Sequence, residues 1–167
     1  ANAVKIEVGP PPSGSIETAS IMLDGDDATP HLREPAVEAA VSTVAAVPGV
    51  REAMVAAQRK QAQHGRLVMV GRDIGTVVFP DAGLKVFLSA SAAVRGKRRW
   101  LQMKERGQEG ELAAVIEEIE LRDQQDRTRE IAPLRPAKDA VILDTSEMDL
   151  EEVLAALARL VAVSRGE

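Results

Sequence analysis

The run "LVMVGRDIGTVVFPDAGLKVFL" (67–88) decides the fold. Two short apolar stretches, "LVMV" (67–70) and "LKVFL" (84–88), flank a loop that opens Gly71-Arg72-Asp73. Such runs, rich in valine and bounded by glycine and proline, read as strands buried on both faces. "DAVILD" (139–144) is a third. Strands of this type sit in parallel sheets with helices over both faces.

Helical patterns alternate with them. "PAVEAAVSTVAAV" starts at Pro35, which is tolerated at a first helical position, and Pro48 breaks it. "GVREAMVAAQRKQAQ" follows, with His64-Gly65 as its expected end. Ser89 or Ser91 can cap a helix running to about Arg106. In "EGELAAVIEEIELRDQQDRTRE", Leu112, Val115, Ile116 and Ile119 form an apolar stripe. Asp149 with Glu152 reads as a capping box. The helix it opens carries Leu150, Val153, Leu154, Leu157, Leu160 and Val161 on one face. Strand–helix–strand alternation of this kind predicts an α/β fold with a parallel sheet flanked by helices.

Residues 1–30 differ. "VKIEV" and "SIMLDG" alternate apolar with polar around "GPPPSGS", which predicts a small β-hairpin or meander. A chain that opens on such a piece reads as an entry into the middle of something larger.

The bulk numbers bound the function. A length of 167 residues suits one domain with a small appendage. The apolar set is almost wholly aliphatic, with two Phe, one Trp and no Tyr. There are no cysteines, which excludes thiol nucleophiles and cysteine metal sites and fits a reducing cytoplasm. A net charge of −5 argues against nucleic acid and anionic membrane as partners. No stretch is long and apolar enough to span a bilayer, and "ANAVKIEVGP" has no signal-peptide pattern. His31 and His64 lack metal-ligand spacing and read as surface residues; no metal site is expected from the side chains. Trp100 reads as the cover of a hydrophobic patch.

In open parallel sheets, ligands bind at the carboxyl ends of strands. Three such ends carry polar residues: Gly71-Arg72-Asp73, "SASAAVRGKRR" and Asp144-Thr145-Ser146. Arg72 offers a planar fork of donors suited to phosphate, and Asp73 can accept from an amine or hydroxyl. The same pair is equally a salt-bridged turn, and the loop alone favours that plainer reading. Arg95, Arg98 and Arg99 share a helix face, usually a solvated one. Arg122, Asp126 and Arg129 fall on another, either an anion cradle or a charge ladder. Asp123 and Arg127 form a second ladder one step round. Ser42 and Arg51 flank the break at Pro48. Arginines near strand ends with no nucleophile suit phosphoryl transfer, where positioning and charge neutralisation do most of the work.

The loop "GRDIGTVVFPDAGLKVFLSASAAVRGKRR", with "EIELRDQQDRTREIAPLRPAKDAVILDTSEMDLEEV", closely resembles bacterial cytidylate kinases. "EPAVEAAVSTVAAVPGVREAMVAAQR" fits the preceding part of that family. The resemblance implies a P-loop kinase fold and transfer of the ATP γ-phosphoryl group to CMP or dCMP, with Mg²⁺. It implies that Ser42 and Asp73 read the cytosine or nearby polar groups. Arg51 and Arg72 fall at the monophosphate, and Asp126 at the sugar. Arg122 and Arg129 become the catalytic, phosphate-facing arginines. Arg95, Arg98 and Arg99 fall in a lid over ATP, about 95–112. Residues 1–33 become part of a small β insert, 34–64 the helices that hold the monophosphate nucleotide, and 65–167 the core. Family members are usually monomeric. One departure is large: the family opens on a strand, a Gly-rich phosphate loop and a helix, and no G-x-x-x-x-G-K-[ST] occurs in these residues. The expectation is a truncated kinase with an incomplete donor site, inactive as it stands. The alternative is a non-catalytic nucleotide-binding or interaction module.

Overall fold

The computed structural model describes residues 4–11, 13, 19–62, 65–128 and 130–166, with the side chains of Glu38 and Ser42 left aside. The chain divides into two compact units, Ala1–Val68 and Met69–Glu167.

The first unit opens on three antiparallel strands in the order β1 (Ile6–Gly9), β2 (Ser20–Leu23) and β3 (Asp26–Asp27). The β2–β3 turn uses Asp24 and Gly25, both at positive φ. Asp24 also accepts from the Lys5 amide at 2.7 Å, which ties the turn to β1. The expected β meander is therefore present. Two helices follow, α1 (Pro35–Ala45) and α2 (Pro48–Gln61), each with proline in its first turn, where the amide it lacks has no intrahelical partner. His64 lies outside the described residues.

The second unit is built on two parallel strands, β4 (Val86–Ser89) and β5 (Val141–Asp144). Between them run α3 (Ala92–Glu105) and α4 (Leu112–Thr128), and α5 (Leu150–Arg165) follows β5. Ser91 is the N-cap of α3, accepting from Val94 N at 3.3 Å. The Asp149–Glu152 capping box is complete, with bonds of 2.8 and 2.9 Å. Gly166 closes α5 in the left-handed conformation. The α3–α4 contact explains the α4 stripe: Val115 is buried and Ile116 lies against Gly96, the buried residue of α3.

Residues 67–70 depart from expectation. They form no strand, and Val68 and Val70 are 91% and 89% exposed. A strand is defined by the ladder it joins, and among the described residues no neighbour pairs with this segment. The expected face of α5 is also only partly covered, since Leu150 and Leu154 are exposed. Among the described residues, no single helix is long and apolar enough to cross a membrane.

Candidate active site

The loop after residue 70 is more ordered than its composition suggests. Ile74–Val78 forms a π-helical turn. The Asp73 carbonyl is its hub, accepting from Val77 N at 2.8 Å, Thr76 N at 3.2 Å and Val78 N at 3.3 Å. Phe79 N closes the turn onto the Ile74 carbonyl at 2.7 Å. Single π turns are rare and recur at functional sites. This one pins the backbone directly after Arg72-Asp73.

Arg72 pairs with a residue far from it in sequence. Its Nη1 meets Oδ2 of Asp126, in the last turn of α4, and both atoms are buried. Asp126 is almost wholly enclosed, whereas the Arg72 side chain is 37% exposed. The arginine therefore neutralises a buried carboxylate while its own side chain stays partly exposed. The chain beyond α4 folds back on the helix end, with Leu134 N donating to the Asp126 carbonyl at 2.8 Å. Arg122 stands one turn earlier on α4, exposed and without an ion pair among the described residues. Asp73 is half-buried at the head of the turn.

The expected Asp123–Arg127 ladder is not formed. Asp123 instead crosses to α3, where it accepts both terminal nitrogens of Arg95 at 3.0 and 2.6 Å. A bidentate fork on a half-buried carboxylate outcompetes a single bond along an exposed helix face. Arg95 Nε also donates to the Ala90 carbonyl at 3.0 Å. A groove of about 430 Å³ opens beside this pair, with Ser91, Arg127 and Thr128 on its walls.

Arg98 is engaged too. It donates to Thr145 Oγ1 at 3.1 Å, the Thr145 carbonyl at 2.7 Å and the Met148 carbonyl at 3.0 Å. Thr145 is buried and returns a bond to the Ser89 carbonyl at 3.0 Å. Ser146 Oγ accepts from Ser91 N at 3.0 Å and donates to Asp144 at 2.7 Å. Bonds from the Ser146 side chain and backbone hold the Asp144 carboxyl below its ordinary range. The carboxyl ends of β4 and β5 and the start of α3 thus form one hydrogen-bonded platform. Trp100 donates to the Gly110 carbonyl at 2.8 Å, with Lys104 over its ring.

Ser42 and Arg51 belong to the first unit, on α1 and α2. The Ser42 side chain lies outside the described residues, as does Arg129 entirely. Sequence reasoning missed the Arg72–Asp126 partnership, the Arg98–Thr145 platform and Lys85. A lone lysine inside "LKVFL" was the one signal for the last.

Residues 5–163 match the family model described as cytidylate kinase. The chain belongs to the cytidylate kinase family. It is 46% identical over 160 residues to a cytidylate kinase of Rhodococcus opacus, covering 95% of this chain and 68% of that protein. A cytidylate kinase of Stutzerimonas stutzeri is 50% identical over 134 residues, which is 80% of this chain and 58% of that protein. For one from Pseudomonas aeruginosa the identity is 48% over 139 residues, 83% of this chain and 61% of that protein. The chain spans about three-fifths to two-thirds of the length of these cytidylate kinases.

Proposed function

We propose that the chain carries the acceptor side of a nucleoside monophosphate kinase. The reaction moves the γ-phosphoryl group of ATP onto CMP or dCMP, giving CDP or dCDP. The observation that carries this reading is the buried Arg72–Asp126 pair, set beside the π turn.

Each residue then has a task. Arg72 is assigned to the acceptor monophosphate, as is Arg51, since guanidinium groups suit phosphate. Asp126 accepts from a sugar hydroxyl. Asp73 and Ser42 read the cytosine or the polar groups beside it. An oxygen of the acceptor phosphate attacks the γ-phosphorus as the bond to ADP breaks. Arg122 and Arg129 stabilise the charge spread over the transferring group. The lid over ATP takes Arg95, Arg98 and Arg99, of which Arg95 and Arg98 hold the partners described above. They reach phosphate only by exchanging them.

Among the described residues no three acidic or histidine side chains gather to hold a metal. Mg²⁺ would enter with the triphosphate, since it keeps few protein ligands where substrate phosphates supply most of them.

The polypeptide of these 167 residues contains no Gly-rich phosphate loop. By itself it is expected to bind CMP and to form no CDP. Joined to the phosphate-loop segment of a cytidylate kinase relative, it is expected to form CDP from ATP and CMP, with Arg122→Ala lowering turnover at least about a hundredfold. A joined, folded chain that makes no CDP, or one indifferent to Arg122→Ala, overturns the reading.

A further inference from the structure

Lys85 stands directly before β4, and its side chain is only 8% exposed. Its ammonium donates to the Pro80 carbonyl and to Asp139 Oδ2, the latter at 2.6 Å. Its methylene stem runs alongside Gly75: a Cβ added there would lie 3.3 Å from Lys85 Cδ and 3.5 Å from Cγ. Gly75 lies within the π turn, and Pro80 follows the turn's end. One side chain therefore packs on the turn and ties down the chain just beyond it.

Enclosing an ammonium is unfavourable unless it is paired and hydrogen-bonded. Here the acid partner is 65% exposed, and an ion pair with one open half adds little to stability. An apolar side chain of the same length would fill the space without that desolvation. What lysine adds is a donor that reaches a loop carbonyl and a carboxylate together. The Asp139 carboxyl is held below its ordinary range, chiefly by the bond from Lys85.

We propose that Lys85 is a positioning residue: it holds the Ile74–Val78 turn, and so keeps Arg72 oriented for Asp126 and Asp73 fixed at the head of the turn. Its effect on CMP rests on the acceptor-site reading; its effect on the turn does not.

The test uses Lys85→Met, which keeps the bulk and removes the donors, and Lys85→Arg, which keeps charge and donors. Amide exchange at Val77 and Phe79 reports the turn, and Val94 and Arg95 report α3. In Lys85→Met, exchange at Val77 and Phe79 should rise about tenfold with α3 unchanged, and CMP should bind about tenfold more weakly. Lys85→Arg should stay within about threefold of the unmodified chain on both readouts. If Lys85→Met fails to fold, Asp139→Asn at the exposed partner carries the test, with about a threefold rise at the same two amides. Unchanged exchange at Val77 and Phe79, or an equal rise throughout the unit, overturns the proposal. If the unmodified chain does not bind CMP, the acceptor reading fails and the exchange pattern alone decides on Lys85.

Discussion

Arg72 closes on Asp126, in the last turn of α4, with both contacting atoms out of water. Removing one member of a buried ion pair strands the other charge, which costs about 3–5 kcal/mol. Arg72 is partly exposed, so the lower end applies. Arg72→Ala and Asp126→Ala should each destabilise the second unit by about 3 kcal/mol in urea melts. The double variant should lose less than the sum. Additive losses would mean the two side chains do not depend on each other.

Gly96 is where α3 and α4 come closest. A Cβ there would lie 2.4 Å from Ile116 Cγ1 and 3.3 Å from its Cα, so the helix backbones themselves must part. Gly96→Ala should lower stability by about 1–3 kcal/mol, although alanine is the better helix former. Truncation at the neighbour, as in Ile116→Ala, should recover part of that loss. A Gly96→Ala chain that melts higher than the unmodified one refutes the close approach.

Val68, Val70, Ile142, Leu150, Leu154 and Val163 are each more than half exposed. Apolar surface on this scale marks interaction or aggregation. The polypeptide of these residues alone should self-associate and enhance the fluorescence of an apolar dye. Val68→Lys with Val70→Lys should reduce both. A monomer with a sharp cooperative melt and no dye binding would contradict this.

Asp144 tests the platform by pH. Its carboxyl is lowered first by the Ser146 hydroxyl and then by the Ser146 amide. A carboxylate with a lowered folded value stabilises fully above its unfolded pKa, about 3.9, and loses that contribution as pH falls through the lower folded value. Ser146→Ala should bring the Asp144 titration, followed by carboxyl carbon NMR, part of the way up toward 3.9 and shrink that acid-range dependence, since the amide at position 146 remains. An unmoved titration would detach Asp144 from Ser146.

Much of the fold was legible because local chemistry marks helix ends. Proline at the start of α1, Ser91 at α3 and the Asp149–Glu152 box are short-range signals, and all three appear where expected, while Pro48, read as a break, is itself the first residue of α2. The run at 67–70 misled because apolar composition states a preference for a strand, while only a neighbour's ladder makes one. The site was legible as residue types and not as pairs. Helical spacing placed Arg122 and Asp126 together, yet it could not show that Asp126 turns to Arg72 or Asp123 to Arg95. Those choices are made by packing between distant segments. The enclosure of Lys85 arises in the same way, from a turn whose π geometry has no sequence signature.

The account rests most directly on Arg72 meeting the acceptor's phosphate while Asp126 meets its sugar. Arg72→Lys keeps the charge beside Asp126 and loses the planar fork. Calorimetric titration of this variant and the unmodified chain with CMP, and with cytidine, which lacks the phosphate, separates the two contacts. The account predicts that Arg72→Lys weakens CMP about tenfold and leaves cytidine within about twofold. Equal losses for CMP and cytidine, or none for either, would contradict it.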